Sequence, residues 1–547
     1  LTVLGLALVS VAKAQMPTTM LSSVFPPGGQ VGTEVDVQIT GENFDEVSGL
    51  QFSHSGITAE QKMNPPDEFS EKPTPVENKF LVKIGKDVPS GIYEVRTVGR
   101  FGISNPRAFV VGDLKQVARE GVPDSREKAM PLQMGSTVVA QMTSQRKEYY
   151  SVEMQKGDRV LIDCWCERID SKMDPVVSLF DPNGRMLRRA RQADPRDSLI
   201  QWEVQTPGPH IVMVHDFTYQ GGVDFAYRLS FRKAPYIDFI FPPVGKPGSN
   251  DEYTIYGRNL PSGKPADGLK VRGVPLEKAT VKIQLPNDPQ SLNRLPMTGA
   301  VDSYQAGTSG FPYRLKGTDG LSNAVVVHYA DAPIIREQEP ANNEQANPQK
   351  VTVPCEYVGQ FYPERDRDWV AFDAKQGEVY WINVLSQRLG TAADPVLMIE
   401  RVTKDAKGNE QVRMITKLDD APYDRPGNNQ VDIVSLQTDD PKYRLVADAD
   451  ATYRIRLSDL YNNPANDPRL VYRMVIQKES PDFQLVAYVE PEKDARNQMK
   501  PTACVVRRGG TQAVKLNLAR QYGFNGEVEV RVEGLPKGVT CTGAEFG

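Results

Sequence analysis

The chain carries the same stretch twice. Residues 25–43, FPPGGQVGTEVDVQITGEN, return without a gap as residues 241–259, FPPVGKPGSNDEYTIYGRN, at an offset of 216. Phe25, Pro26, Pro27, Gly41 and Asn43 fall on Phe241, Pro242, Pro243, Gly257 and Asn259. Farther on, Gly102-Ile103-Ser104-Asn105 returns as Gly320-Leu321-Ser322-Asn323. Gly157 with Asp174-Pro175 returns as Gly377 with Asp394-Pro395, 17 residues apart in both copies, and Tyr227-Arg228-Leu229 as Tyr472-Arg473-Met474. The order is A-B-A′-B′ followed by a fifth piece, so any fold proposed must be one this pattern can form twice.

Patterning within the repeat is that of strands. Val35–Gly41 and Gly91–Val98 alternate apolar and polar residues at period two. Block B offers six short strand-like runs separated by turn signals such as Asp181-Pro182-Asn183-Gly184. With 43 Gly and 42 Pro, the expected class is all-β. The architecture expected is tandem β-sandwich modules, immunoglobulin-like alternating with jelly-roll-like, duplicated and followed by a partial fifth. The boundaries expected are 20–112, 113–233, 236–333, 334–479 and 480–547. The last piece reads as an immunoglobulin-like series of four strands. A sandwich stopping there would leave an unpaired edge, which predicts a chain cut at this end.

Residues 1–14 read as the end of a signal peptide, an apolar run closing on Ala12-Lys13-Ala14. No initiator Met or basic segment precedes it, so the sequence is expected to begin inside that peptide. No later run is long and apolar enough for a transmembrane segment. The expected location is secreted, periplasmic or cell-surface. A net charge of −5 gives no electrostatic reason to expect nucleic acid. Cys164 and Cys166 read as small buried apolar residues and Cys355 is single. Cys504 and Cys541 flank the last module as inter-sheet cysteines of an immunoglobulin-like sandwich do, and are expected to form a disulfide.

No catalytic set assembles. Gly307-Thr308-Ser309-Gly310 lacks the histidine and aspartate contexts a serine triad needs, because His54, His210, His215 and His328 stand in strand or loop runs without supporting motifs. Arg185, Arg188, Arg189 and Arg191 read as a solvated loop, with a patch for an acidic polymer as the lesser alternative. Trp165, Trp202, Trp369 and Trp381 are assigned to packing. Asp174, Asp394, Asp216 and Asp459 are read as turn-forming and strand-capping.

Two resemblances refine this reading. The Pro-rich opening turn, the strand ending in Thr-Gly-x-Asn-Phe, Gly-x-Tyr-x-Val and the Gly-x-Ser-Asn turn of block A resemble IPT/TIG immunoglobulin-like domains, which are spacers and binding modules. In block B′, Glu337-Gln338-Glu339-Pro340-Ala341-Asn342-Asn343, then Asp366-Arg367-Asp368-Trp369 and Asp394-Pro395-Val396-Leu397, resemble the bacterial pre-peptidase C-terminal domain, a secreted jelly-roll-like sandwich. Its closing Gly-x-Tyr motif lacks the glycine here. Carboxylates and amide carbonyls at this spacing form an all-oxygen cage of the kind a hard cation requires, and the resemblance to collagen-binding relatives implies calcium. The candidate ligands are Glu337, Glu339, Asn342, Asp366 and Asp368; Ala341 removes one further ligand the family favours. Block B carries Arg119-Glu120 and Lys147-Glu148-Tyr149-Tyr150 in the matching places, so no cation is expected there.

The function expected is a non-catalytic exported binding or adhesion protein, or the non-catalytic arm of a larger one. Its partner would be an extracellular polymer, polysaccharide or protein. An accessory region of a secreted peptidase or other hydrolase, and a structural spacer of the cell envelope, are the alternatives.

Overall fold

A computed structural model describes residues 17–66, 71–191, 197–292, 308–420, 438–489, 504–506 and 508–547. The signal-peptide reading therefore lies outside the described residues, as does Gly307. The chain divides into two compact units, one of residues 1–232 with 489–514 and the other of residues 233–488 with 515–547.

The repeated residues have structural tasks that local chemistry explains. Gly41 and Gly257 sit where a Cβ would lie 2.0 Å from the carbonyl oxygens of Met20 and Tyr236, so only glycine lets the first strand approach. Asn43 and Asn259 adopt positive φ (58° and 54°), which asparagine tolerates better than most residues. Ser104 accepts the N–H of Thr97 at 2.9 Å, and Asn105 both accepts the N–H of Leu21 (2.8 Å) and donates to its carbonyl (2.9 Å). Ser322 and Asn323 repeat this against Leu315 and Ile237. The Gly-x-Ser-Asn turn is thus a clamp that fastens the last strand of the module to its first.

Among the described residues the first A block forms two packed sheets, and the second a four-stranded, a three-stranded and a two-stranded sheet. In the first copy, Met20–Phe25, Glu34–Glu42, Thr74–Ile84 and Ile57–Asn64 make one sheet, in that order across it. Gly28–Gln30, Arg107–Gly112, Gly91–Gly99 and Gly49–Phe52 make the other, around a core containing Val37, Ile39, Phe80, Val95 and Phe109.

Among the described residues each B block is a sandwich of ten strands. In the first, β1 (Lys115–Ala118), β2 (Met130–Leu132), β3 (Ser136–Gln141), β4 (Glu148–Met154) and β5 (Arg159–Trp165) precede β6 (Pro175–Phe180), β7 (Met186–Arg191), β8 (Ser198–Glu203), β9 (Gly208–Asp216) and β10 (Ala226–Arg232). The second has β11 (Ile334–Arg336), β12 (Gln349–Lys350), β13 (Cys355–Gln360), β14 (Asp368–Ala374), β15 (Val379–Leu385), β16 (Pro395–Lys404), β17 (Glu410–Leu418), β18 (Lys442–Val446), β19 (Ala451–Asp459) and β20 (Val471–Lys478). The sheet orders are β1-β3-β10-β5-β8 with β2-β4-β9-β6-β7, and the same sequence raised by ten. Even the bulge in the β6–β7 hairpin, between Leu179 and Phe180, returns in β16–β17 between Ile399 and Glu400.

Tyr150, Tyr227 and Phe231 fill one core, and Tyr357, Phe361, Tyr453 and Tyr472 the other. Complete burial of side chains this size contributes roughly 1.5–3 kcal/mol each. In the second unit the sandwich also shares apolar clusters with block A′: Phe239, Val271 and Leu276 pack with Val471, and Val244 and Ala330 with Val358.

Four expectations are corrected. The sandwich has more strands than the six runs legible in sequence, since short edge strands such as β1 and β2 lack a clear alternating pattern. Arg188, Arg189 and Arg191 lie on strand β7 rather than in a loop, because Leu187 and Ala190 of the same run pack against the core. The last piece does not form a four-stranded series among the described residues. Asp482–Tyr488 pairs with Lys515–Gln521, Val528–Val530 with Ala544–Phe546, and residues 504–506 belong to no strand. The Cys504–Cys541 disulfide is not formed: both are free and exposed, because no pair of sheets encloses them. Cys164 and Cys166 are fully buried, their sulfurs 3.9 Å apart, and Cys355 is buried as well.

Candidate metal centre

Five residues named from sequence come from two places in the second sandwich. Glu337 continues β11, its N–H donating to Val358 at 3.0 Å, and its carboxylate accepts the N–H of Gln360 at 2.9 Å. Gly359 makes this possible, since a Cβ there would lie 2.2 Å from Glu337 Oε2. The turn that follows carries Glu339 to the rim, where Asn343 Nδ2 donates to it at 3.1 Å. Asn342 drops into the interior, 1% exposed, and its carbonyl accepts the N–H of Trp369 at 2.8 Å. That bond ties the opening segment to β14, whose first residue is Asp368; Asp366 stands just before it.

Carboxylate oxygens of Glu337, Glu339 and Asp368 lie within 4.8 Å of one another. Asn342 Nδ2 donates to Asp368 Oδ1 at 2.7 Å and to the Tyr357 hydroxyl at 3.0 Å. Tyr357 in turn donates to Gln349 at 3.0 Å. Among the described residues, three buried oxygens of the candidate ligands have no hydrogen-bond partner, Asn342 Oδ1, Asp366 Oδ2 and Asp368 Oδ2, and the neighbouring Asn343 Oδ1 and Tyr472 hydroxyl have none either. Orphaned buried acceptors each cost on the order of 1–3 kcal/mol, and more for charged groups.

Electrostatics agree with the geometry. Burial, then the charge of Asp368 and its neighbours, pushes the Glu337 carboxyl up to about 10. Burial followed by Glu339 raises Asp366 to about 7. Burial followed by Asp366 drives Asp368 well above the usual carboxylate range, and burial raises Glu339. The charges acting on Glu337 are all acidic, so crowding and desolvation act together. An all-oxygen donor set with orphaned, mutually repelling acids fits a hard divalent cation. Tyr357, Gln349, Tyr472 and Gly359 complete the surroundings and were not singled out from sequence as site residues. Tyr472 alone had a signal, its place in the repeated Tyr-Arg pair.

The first sandwich builds the same place differently. Register sets Glu148 at the start of β4 opposite Val214, as Asp368 starts β14 opposite Leu457. Tyr227 faces Ala140, as Tyr472 faces Gly359. Arg119 donates its N–H to Val139, as Glu337 does to Val358, and its guanidinium pairs with Glu148. Glu148 also accepts the Tyr227 hydroxyl at 2.5 Å and the N–H of Thr143 at 3.2 Å.

Of the four acids read as turn-forming and strand-capping, Asp216 and Asp459 cap, while the Asp174 carboxylate pairs with Arg191 and Asp394 Oδ1 has no hydrogen-bond partner among the described residues. Asp216 accepts the N–H groups of Asp174, Thr218 and Gln220, and Asp459 those of Asp394 and Asn463. Of the tryptophans, Trp369 is buried, and Trp165, Trp202 and Trp381 are partly so.

No protein-family model matches the sequence, and comparison with curated proteins gave no match. Among solved structures, the pre-peptidase C-terminal domain of a collagenase from Bacillus anthracis matches 20% of this chain and 99% of its own, at 14% identity and a TM-score of 0.17. SGBP-B of a Bacteroides ovatus mixed-linkage glucan utilization locus, in complex with a heptasaccharide, covers 84% and 75%, at 10% identity and 0.14. The tandem CBM22 domains of Paenibacillus barcinonensis Xyn10C cover 83% and 98%, at 9% identity and 0.14. At these scores the all-β sandwich architecture rests on the strand pairing itself. Among the described residues no helix is long and apolar enough to cross a membrane.

Proposed function

We propose that the chain is a non-catalytic exported binding or adhesion protein of tandem β-sandwich modules, in which the second jelly-roll-like sandwich takes calcium. Glu337, Glu339, Asn342, Asp366 and Asp368 would hold the ion, and its charge would offset the crowded carboxylates. The observation that carries this reading is the set of three buried, partnerless oxygens facing a cluster of raised acids. The chain's own contribution is to fix the 337–343 segment against β14 through the Asn342–Trp369 bond, so that a cation would stiffen the entry to the sandwich. The partner expected is an extracellular polysaccharide or protein.

Calorimetric titration of the full chain with calcium, with melting alongside, tests this. Saturable binding at roughly 10⁻⁴ to 10⁻³ M is expected. Stabilisation should approach about 2.7 kcal/mol at a hundredfold excess over Kd, and both signals should vanish in Asp368→Asn and Glu339→Ala. Absence of heat and of any melting shift at millimolar calcium would sink the site.

A further inference from the structure

The repeated Tyr-Arg pair buries an arginine in each B block. Arg228 of β10 is 5% exposed and Arg473 of β20 is 8% exposed, and they stand at the same register place, opposite Val139 and Val358. In the second sandwich Glu356, two residues before Val358 on β13 and so on the same face, pairs with Arg473 at 2.5 Å. The other carboxylate oxygen accepts the N–H groups of Asp331 and Ala332 at 2.7 and 3.3 Å. The buried guanidinium there has a carboxylate of its own.

The first sandwich keeps the arginine and drops the acid. Register puts Thr137, opposite Ser230, where Glu356 stands opposite Val475, and the two hydroxyls bond each other at 2.8 Å. Arg228 Nη1 donates to the Gln116 amide oxygen at 2.7 Å, and Gln116 Nε2 donates to the Gly28 carbonyl at 3.0 Å. Among the described residues no acid pairs with Arg228. Asp163, opposite Ser230 on β5, is engaged by Arg168 at 3.0 Å, by Arg232 at 3.7 Å and by the Trp165 indole N–H at 2.6 Å. Burial pulls the Arg228 guanidinium down to about 10, so it still carries its charge at neutral pH.

A buried charge with no counter-charge is among the most costly groups a fold can hold, and a neutral amide oxygen does not cancel it. Whatever supplies the missing charge must be small, because 5% exposure admits no polymer or peptide segment to the guanidinium. It must also accept from several directions, since the donors are mixed. They are the remaining N–H groups of Arg228 and, one register step along the same face, a hydroxyl pair in which one hydrogen is used between the two oxygens and the other is left to donate. Gly112 of block A, where a Cβ would lie 3.4 Å from Arg228 Nη2, brings backbone but no side chain against that side of the guanidinium.

We infer that the first sandwich, where block A covers it, holds a small inorganic anion of the chloride type, bound by Arg228 in the role that the Glu356 carboxylate fills in the second copy. The site lies in the other unit from the candidate metal centre and does not depend on that centre taking a cation.

The test uses the full chain in chelator-treated buffer, with chloride exchanged for gluconate at a constant ionic strength of about 150 mM. Chloride at about fivefold above Kd should raise the melting midpoint by about 2–4 °C. The chloride NMR line should broaden in the presence of the protein and sharpen again when bromide competes. Thr137→Glu, which copies the second sandwich, should hold its midpoint in gluconate and lose both responses, and Arg228→Gln should lose the broadening. A wild-type midpoint that follows ionic strength alone, with no broadening of the line, overturns the inference. So does a chloride response that survives Thr137→Glu or Arg228→Gln. Should Arg228→Gln fail to fold, broadening that bromide displaces in the wild type and that Thr137→Glu abolishes still decides in favour of the site.

Discussion

The two jelly-roll-like sandwiches face one problem, a carboxylate buried at the start of a central strand, and answer it in different ways. In the first, Glu148 is fully buried and Arg119 supplies a positive charge from the position that Glu337 occupies in the second. In the second, that position is itself acidic, Asp368 keeps an oxygen without a partner, and further acids crowd around it. A frame that carries its own cation in one copy and extra oxygens in the other teaches that the place demands positive charge. On the reading proposed above, the chain omits that charge where an ion would provide it.

The largest expected effect comes from removing the built-in cation. Arg119→Ala leaves Glu148 charged and alone in the interior, at a cost of about 3–5 kcal/mol in chemical denaturation of the first unit. Adding Glu148→Gln should restore much of that. A loss below about 1 kcal/mol would break the comparison, since the pair would then behave as a surface ion pair.

Transplanting the arginine sharpens it. Glu337→Arg should make the second sandwich independent of calcium and raise its metal-free stability by about 1–2 kcal/mol, read from melting in chelator. A variant that still responds to calcium would show that Glu337 is not the residue the two copies trade.

The smallest effect is on pH. Asp366 is raised from 3.8 to about 7, so the folded metal-free state holds its proton more tightly than the unfolded chain. Its contribution is present below the ordinary carboxylate range and is lost as pH rises through about 7. Without calcium, the second unit should therefore lose about 1 kcal/mol between pH 5 and pH 8, a figure already reduced for solvent screening at this partly open site. With saturating calcium the slope should reverse. A metal-free transition that gains stability over that range would contradict the crowding of the acids.

Much of this was legible from the chain because the telling residues act locally. Gly41 and Gly257 are needed for close approach, Asn43 and Asn259 for positive φ, and the Gly-x-Ser-Asn turns for clamping, and each demand leaves a mark on residue type. The ligand candidates were legible for the same reason, since they cluster in two short segments. Residues supporting them from distant strands were not: Tyr357 and Gln349 reach the site only after β12 and β13 have paired with neighbours far along the chain. Asp197 and Asp440 also went unread, although each caps a short 3₁₀ turn and pairs with its arginine, Arg168 or Arg388. Their sequence surroundings share no pattern, and only the fold aligns them. The cysteine bridge failed because it assumed a pair of sheets that the described residues of the last piece do not form.

The shared packing of Phe239 and Leu276 with Val471, and of Val244 and Ala330 with Val358, has a mechanical consequence. Tension applied through block A′ would reach the sandwich that follows through interlocked side chains as well as through the connecting backbone. Separating the two exposes apolar surface to water before either sheet begins to peel, so along this stretch the chain resists pulling as a joined pair of plates rather than as beads on a string.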